Sequence, residues 1–123
     1  MRVLVADDSA VARFSVCGRL RAAGLDVLEH DSAKAARGAD PAVLMCALLD
    51  LDLGDGTGVE VAEALHAASR ERSPRLPIAF FSGGAPDEIM ARARAIGPLF
   101  SKPGQLEQAI AWVLACLRAT HRP

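Results

Sequence analysis

Val3-Leu4-Val5-Ala6-Asp7-Asp8 stands near the start of the chain, a short apolar run closed by two carboxylates. Such a run, bounded by polar residues, predicts a strand buried on both faces, as in parallel sheets covered by helices. The pattern recurs at wide spacing. Leu48-Leu49 is closed by Asp50, Ile78-Ala79-Phe80-Phe81 by Ser82, and Leu99-Phe100 leads through Ser101 to Lys102-Pro103. In an open α/β sheet, ligands bind outside the carboxyl ends of the strands, so these groups are expected to converge in one crevice. Three carboxylates, one hydroxyl and one amine would then share a pocket.

Strands are predicted over residues 2–6, 26–29, 43–49, 78–81 and 98–101, with helices over 9–23, 33–37, 58–69, 87–96 and 105–119. Gly24, Gly38, Pro41, Pro74, Pro77, Gly97 and Pro98 punctuate the connections, and no internal repeat interrupts the alternation. The second helix is expected to be short. Five βα units wound with right-handed crossovers predict a doubly wound α/β fold with strand order 2-1-3-4-5. That order sets the first and third strands side by side and brings Asp7, Asp8 and Asp50 together at the switch point.

Composition fits one domain spanning residues 1–123, with no effector domain in this chain. It has 123 residues, 51% hydrophobic and 24% charged, which suits a single core. The net charge of −1 and the lack of a basic run argue against direct contact with nucleic acid or an anionic membrane. Cys17, Cys46 and Cys116 are odd in number, lie in apolar contexts and lack metal-ligand spacing, so they are read as reduced core thiols of a cytoplasmic protein. The first apolar run ends too soon for a signal peptide, and no stretch is long enough to span a membrane.

The crevice has a chemistry of its own. Carboxylates a few ångströms apart repel, so either their pKa values rise or a cation joins them, and all-oxygen ligation facing water suits Mg²⁺. Magnesium so held keeps several waters and recruits phosphate oxygens, while a nearby lysine adds a second positive charge. A carboxylate can itself attack phosphorus to form an aspartyl phosphate, and Asp50 is the expected nucleophile.

On Asp7-Asp8, the segment from Leu49 to Gly58, Ser82 and Lys102-Pro103, the chain resembles the receiver domain of bacterial two-component response regulators, from Val3 to about Leu117. The resemblance implies a CheY-like, flavodoxin-like (βα)5 fold. It implies that Asp50 is the phosphoacceptor and that Asp8, with Asp7 partly through water, holds Mg²⁺, the backbone carbonyl of Asp52 being a further ligand. Ser82 would bond the phosphoryl oxygen, Lys102 would pair with it, and the Lys102-Pro103 bond would be cis. It further implies self-catalysed phosphoryl transfer with slow autodephosphorylation. The donor would be a histidine kinase or histidine phosphotransfer protein, and an output protein or effector domain would read the result. Two positions depart from the family pattern. Gly54 stands where proline is frequent, so the loop to Gly58 is expected to be unusually mobile. Leu99 replaces the aromatic switch residue, and strand alternation points Phe100 to the other face.

Helical phase singles out further residues. In the last helix Leu106, Ile110, Val113, Leu114 and Leu117 are expected to form the core stripe, leaving Ala109, Trp112 and Cys116 as a second, outward stripe. Trp112 is then a candidate partner contact, or else packs at the edge of a rotated helix. In the first helix Ala12, Val16 and Leu20 form the stripe, so Val11 and Phe14 face outward near Asp8, where a phosphodonor would dock; the competing reading packs Phe14 on a neighbouring helix. Asp8 alone would read as a helix cap. Asp52 reads as solvated, and His30, His66 and His121 as surface residues without metal spacing.

Two rival functions remain open at this level. Asp50-Leu51-Asp52 also matches the Asp-x-Asp of haloacid-dehalogenase-type phosphatases, where the first aspartate attacks and the second is a general acid. Those enzymes place Asp-x-Asp near the start and an acidic pair after the lysine, whereas here the pair comes first and only Glu107 follows Lys102. The other rival is a receiver-like interaction module that is not phosphorylated, favoured by Leu99 and Gly54.

Overall fold

The computed structural model describes residues 1–120. Strands β1 (Arg2–Ala6), β2 (Asp26–His30), β3 (Leu44–Leu49), β4 (Ile78–Ser82) and β5 (Leu99–Ser101) form one parallel sheet in the order β2-β1-β3-β4-β5. The helices are α1 (Ala10–Ala22), α2 (Ala33–Arg37), α3 (Gly58–Ala68), α4 (Asp87–Ile96) and α5 (Leu106–Thr120). The expected strand order and element sequence are thus observed. A 3-10 turn at Pro41–Val43 takes the place of the first residue predicted for β3, because the Asp40 side chain accepts a hydrogen bond from the Ala42 N–H and caps the turn.

Helices cover both faces, which is why β3 is buried at all six positions and shows no alternation in sequence. On one face Val3, Val5, Cys46, Leu48, Ala79 and Phe81 pack against Val16 and Leu20 of α1 and Ile110 and Val113 of α5. On the other, Leu4, Ala47, Leu49 and Phe80 pack against Val59, Ala62 and Leu65 of α3 and Ala93 of α4. Ala6 lies opposite both His30 and Leu49, and Ser82 opposite Ser101, so the carboxyl ends of the strands finish nearly level. The residues that follow them are delivered to one edge.

The phase expected for α5 is corrected. Ala109, predicted outward, is fully buried, and Trp112 and Cys116 are half-buried against the α1/α5 core alongside Leu106, Leu114 and Leu117. The buried arc is wider than a single stripe, because this helix rests on the sheet and on α1 together. Trp112 therefore packs at the edge of the helix instead of projecting as a free contact. In α1 the outcome is the reverse: Val11 is 81% and Phe14 84% exposed, so Phe14 packs on no neighbouring helix.

Ser9, not Asp8, caps α1, its hydroxyl accepting from the Ala12 N–H at 3.2 Å. His66 is also corrected. It is half-buried, and its Nε2–H donates to the Leu76 carbonyl at 2.9 Å, tying the end of α3 to the chain entering β4. His30 is half-buried at the end of β2, and His121 lies outside the described residues. Among the described residues no helix is long and apolar enough to cross a membrane.

Candidate functional site

Each strand end contributes one part. The chain leaving β1 presents Asp7, whose N–H donates to the His30 carbonyl, and β3 hands on Asp50, whose N–H donates to the Ala6 carbonyl at 2.8 Å. Both continue the ladder for one residue, so their side chains are set by the sheet and not by a free loop. Asp7 also accepts from the Ser9 N–H at 2.9 Å, and Arg13 Nη1 donates to the Asp7 carbonyl at 2.7 Å. Nothing in the sequence pattern marked Arg13, which α1 brings back over the strand end.

Asp7, Asp8 and Asp50 each offer a carboxylate oxygen, all within 4.8 Å of one another. Asp7 and Asp50 are buried while Asp8 is exposed. Lys102 reaches in from beyond β5: its Nζ donates to Asp7 Oδ2 at 2.5 Å and to Asp50 Oδ2 at 3.0 Å. The Lys102 backbone N–H donates to the Ser82 carbonyl at 2.9 Å, which fixes the lysine beside the serine, and the Lys102-Pro103 bond is cis as expected. Nζ also lies 5.7 Å from the centre of the Phe81 ring. Ser82 is buried and makes long contacts with its own turn, accepting from the Gly84 N–H at 3.3 Å and donating to the Gly84 carbonyl at 3.4 Å.

The electrostatics follow from burial. Desolvation pushes the Asp50 carboxyl above its ordinary value, and the Asp7 charge adds to this, against the opposing hydrogen bond and charge of Lys102. Burial pulls the Lys102 amine down, but its bonds to Asp7 and Asp50 together outweigh that and hold it charged. One half-buried cation thus serves two buried carboxylates, leaving net negative charge at the crevice. The donor set, three hard carboxylate oxygens with Asp8 open to water, fits Mg²⁺, which takes one or two carboxylates and retains several waters.

Asp52 is not brought into the carboxylate cluster. β3 ends at Leu49, and the exposed Asp52 side chain turns back to accept from the Gly54 N–H at 3.0 Å. The loop that follows carries backbone pairing of its own. Gly54 takes φ +81°, Leu53 N–H donates to the Gly56 carbonyl at 3.0 Å, and Asp52 pairs with Thr57. Asp55 caps α2 by accepting from the N–H groups of Ala33 at 2.7 Å and Lys34 at 3.0 Å, bonds that hold its carboxyl below the usual range. A cap supplied from 22 residues away has no local signature in the sequence.

Two spaces adjoin the site. A cleft of about 280 Å³ runs between α1 and the β5–α5 connection, lined by Val11, Ser15, Phe81, Lys102, Pro103 and Leu106. On the other side of Ser82 a void of about 90 Å³ is bounded by Leu51, Met90, Arg94 and Leu99. Leu99 packs toward the α3/α4 core and Phe100 toward the α1/α5 core, as alternation predicts.

No family model matches the sequence, and no curated protein matches it. Solved structures do. A two-component response regulator from Clostridium difficile superposes with a TM-score of 0.80 at 20% identity, over 99% of this chain and 99% of that one. The chemotaxis protein CheY4 of Vibrio cholerae gives a TM-score of 0.77 at 23% identity over 94% and 97% of the two chains. The non-phosphorylated HemR receiver domain of Leptospira biflexa gives 0.76 at 23% over 99% and 97%. Many of the similar structures are response regulator receiver or CheY-like domains, matched over nearly the full chain, and the fold of this chain is theirs.

Proposed function

We propose that this chain is a phosphoacceptor receiver domain of a two-component response regulator, taking a phosphoryl group onto Asp50 from a histidine kinase or histidine phosphotransfer protein in the cytoplasm. The observation that carries this reading is the convergence of Asp7, Asp8, Asp50, Ser82 and Lys102 from four strand ends, with Lys102 Nζ bonded to Asp50. In such a site the Asp50 carboxylate attacks phosphorus in line as the donor's bond to phosphorus breaks. Burial favours the attack, because a carboxylate stripped of water is the stronger nucleophile. Lys102 shifts from a carboxylate oxygen to a phosphoryl oxygen, exchanging one charge-assisted bond for another. Ser82 gives up its long contacts with Gly84 and donates to a second phosphoryl oxygen. Asp7, Asp8 and Asp50, with the Asp52 backbone carbonyl, would hold Mg²⁺, which when bound neutralises charge on the transferring group.

Partners follow from the surface around the crevice. Val11 and Phe14 are large, apolar and almost fully exposed on α1, next to the cleft that ends at Lys102. That patch suits the helix of a phosphodonor protein, whose phosphohistidine would then face Asp50. An output protein or effector domain would read the Ser82 side of the site.

The test is incubation with acetyl phosphate and Mg²⁺ followed by intact-mass measurement. Wild type should gain one phosphoryl group and Asp50→Asn none. Equal labelling of the variant would place the acceptor elsewhere. Turnover of many phosphate esters would favour a phosphatase of the Asp-x-Asp kind, and absence of labelling by small donors and kinases alike an unphosphorylated module.

A further inference from the structure

The peptide that joins Asp7 to Asp8 sits between two fixed points. Behind it, the Asp7 N–H extends the β1–β2 ladder by donating to the His30 carbonyl at 3.1 Å. Ahead of it, the Ser9 N–H donates to Asp7 Oδ1 at 2.9 Å, and Ser9 caps α1. The carbonyl of the peptide itself is taken by a side chain: Arg13 Nη1 donates to the Asp7 carbonyl oxygen at 2.7 Å. The first turn of α1 puts Arg13 in reach, its own N–H donating to the Ser9 carbonyl at 3.0 Å. The guanidinium has a second anchor on β2. Its Nε lies 3.6 Å from Glu29 Oε1, and the other oxygen of Glu29 accepts from Arg21 Nη1 at 2.8 Å. With the Arg13 side chain only 20% exposed, water competes little for these contacts.

We infer that Arg13 is a positioning residue for the metal, holding the Asp7–Asp8 peptide so that both carboxylates face Asp50; the inference rests on the reading of the crevice as a Mg²⁺ site. A peptide unit is planar, so a bond that fixes the direction of the Asp7 carbonyl fixes the Asp8 N–H and Cα with it. One hydrogen bond therefore orients two adjacent ligands. A guanidinium suits this task, because its planar fork donates in set directions and can hold a carbonyl and a carboxylate at once. Arg13 and Lys102 differ in what they touch. Lys102 Nζ bonds Asp7 Oδ2 and Asp50 Oδ2, oxygens that a bound cation would draw on, whereas Arg13 bonds the backbone and has its charge met by Glu29. Arg13 thus orders the cluster without competing for its oxygens.

The inference carries a sign that charge alone would reverse. A fixed cation near the site repels Mg²⁺, so if Arg13 acted only through its charge, neutralising it would tighten binding. Losing the anchor of the Asp7–Asp8 peptide should instead weaken binding, by roughly 10–100-fold, the usual effect of removing a group that orients metal ligands. The experiment titrates Mg²⁺ into isotope-labelled wild type, Arg13→Met and Arg13→Lys, following the amide shifts of Asp7 and Asp8, which report on folded molecules only. Arg13→Met should bind more weakly, with those two amides displaced before any metal is added. Arg13→Lys keeps the charge and one donor for the carbonyl, and should fall between Arg13→Met and wild type. Unchanged or tighter binding by Arg13→Met overturns the inference, as does a lysine variant no better than Arg13→Met. Should Arg13→Met fail to fold, Arg13→Lys decides: binding weaker than wild type supports the inference, and equal binding overturns it. A wild type that does not bind Mg²⁺ overturns the metal assignment and this inference with it, whereas wild-type binding that the Arg13 variants leave intact overturns the inference alone.

Discussion

Asp50 is held where its charge is least welcome. It is buried, faces Asp7, and shares a single lysine with it. Its pKa is raised in the folded chain, so folding favours the protonated form. For a carboxyl with a raised folded pKa, stability is largest below the unfolded value and falls as pH rises through the folded one. Ionised Asp50 therefore costs stability at neutral pH. Asp50→Asn keeps an oxygen for Lys102 and removes that cost. The variant should melt above wild type at pH 7, with the gap closing as the pH falls toward the ordinary carboxyl range near 3.8. Thermal midpoints of both proteins across that range check it; a gap that widens toward acid would contradict the electrostatic account.

At the scale of elements, α3 and α1 carry opposite kinds of constraint. The first turn of α3 is pressed onto the end of β3: a Cβ built on Gly58 would stand 2.2 Å from the Asp50 carbonyl oxygen. Gly58→Ala must push the helix off the end of β3, where Asp50 follows, and it should cost about 1–3 kcal/mol, the range for overpacking. Denaturant unfolding measures the loss, and labelling by acetyl phosphate should slow with it. On the outward face of α1, Val11 and Phe14 stand exposed. Phe14→Ala removes a side chain that is 84% exposed, so its stability should stay within about 0.5 kcal/mol of wild type. If the patch receives the phosphodonor, the same variant should slow transfer from a protein donor while leaving transfer from acetyl phosphate unchanged. Equal slowing with both donors would assign Phe14 to the site's architecture instead.

For the whole molecule, two ligands report on coupling between site and fold. Mg²⁺ should bind the assembled carboxylates and not the dispersed ones of the unfolded chain, raising the thermal midpoint. Asp8→Ala should remove most of that rise, since Asp8 is the solvent-facing member of the cluster. Coincident wild-type midpoints with and without millimolar Mg²⁺ would overturn the metal assignment. Beryllofluoride should draw Ser82 inward and move the turn from Ser82 to Ala85 with α4. Leu99, which only borders the void of about 90 Å³ beside Ser82, should respond weakly, because it has neither ring nor hydroxyl to exchange between two positions. Amide and methyl chemical shifts decide it: large changes at the Leu99 methyls with little change across residues 82–85 would reverse the route.

Much of the architecture was legible in the chain itself, because its signals are local and repeated. Apolar runs ending in Asp, Ser and Lys predict buried parallel strands, glycine and proline mark the connections, and right-handed crossovers then leave one strand order. The convergence of Asp7, Asp8, Asp50, Ser82 and Lys102 follows from that topology, since each closes a strand of the same sheet. What only the tertiary structure decided depends on contacts between elements far apart in sequence. The rotation of α5 that buries Ala109 and packs Trp112 at the edge is set by α1 and the sheet together, which helical phase alone does not contain. Arg13 over Asp7, Asp55 on α2 and His66 on the Leu76 carbonyl are side chains recruited to backbone groups of other segments. No period or spacing encodes them, because a backbone carbonyl or N–H looks the same at every residue until the fold brings one of them within reach.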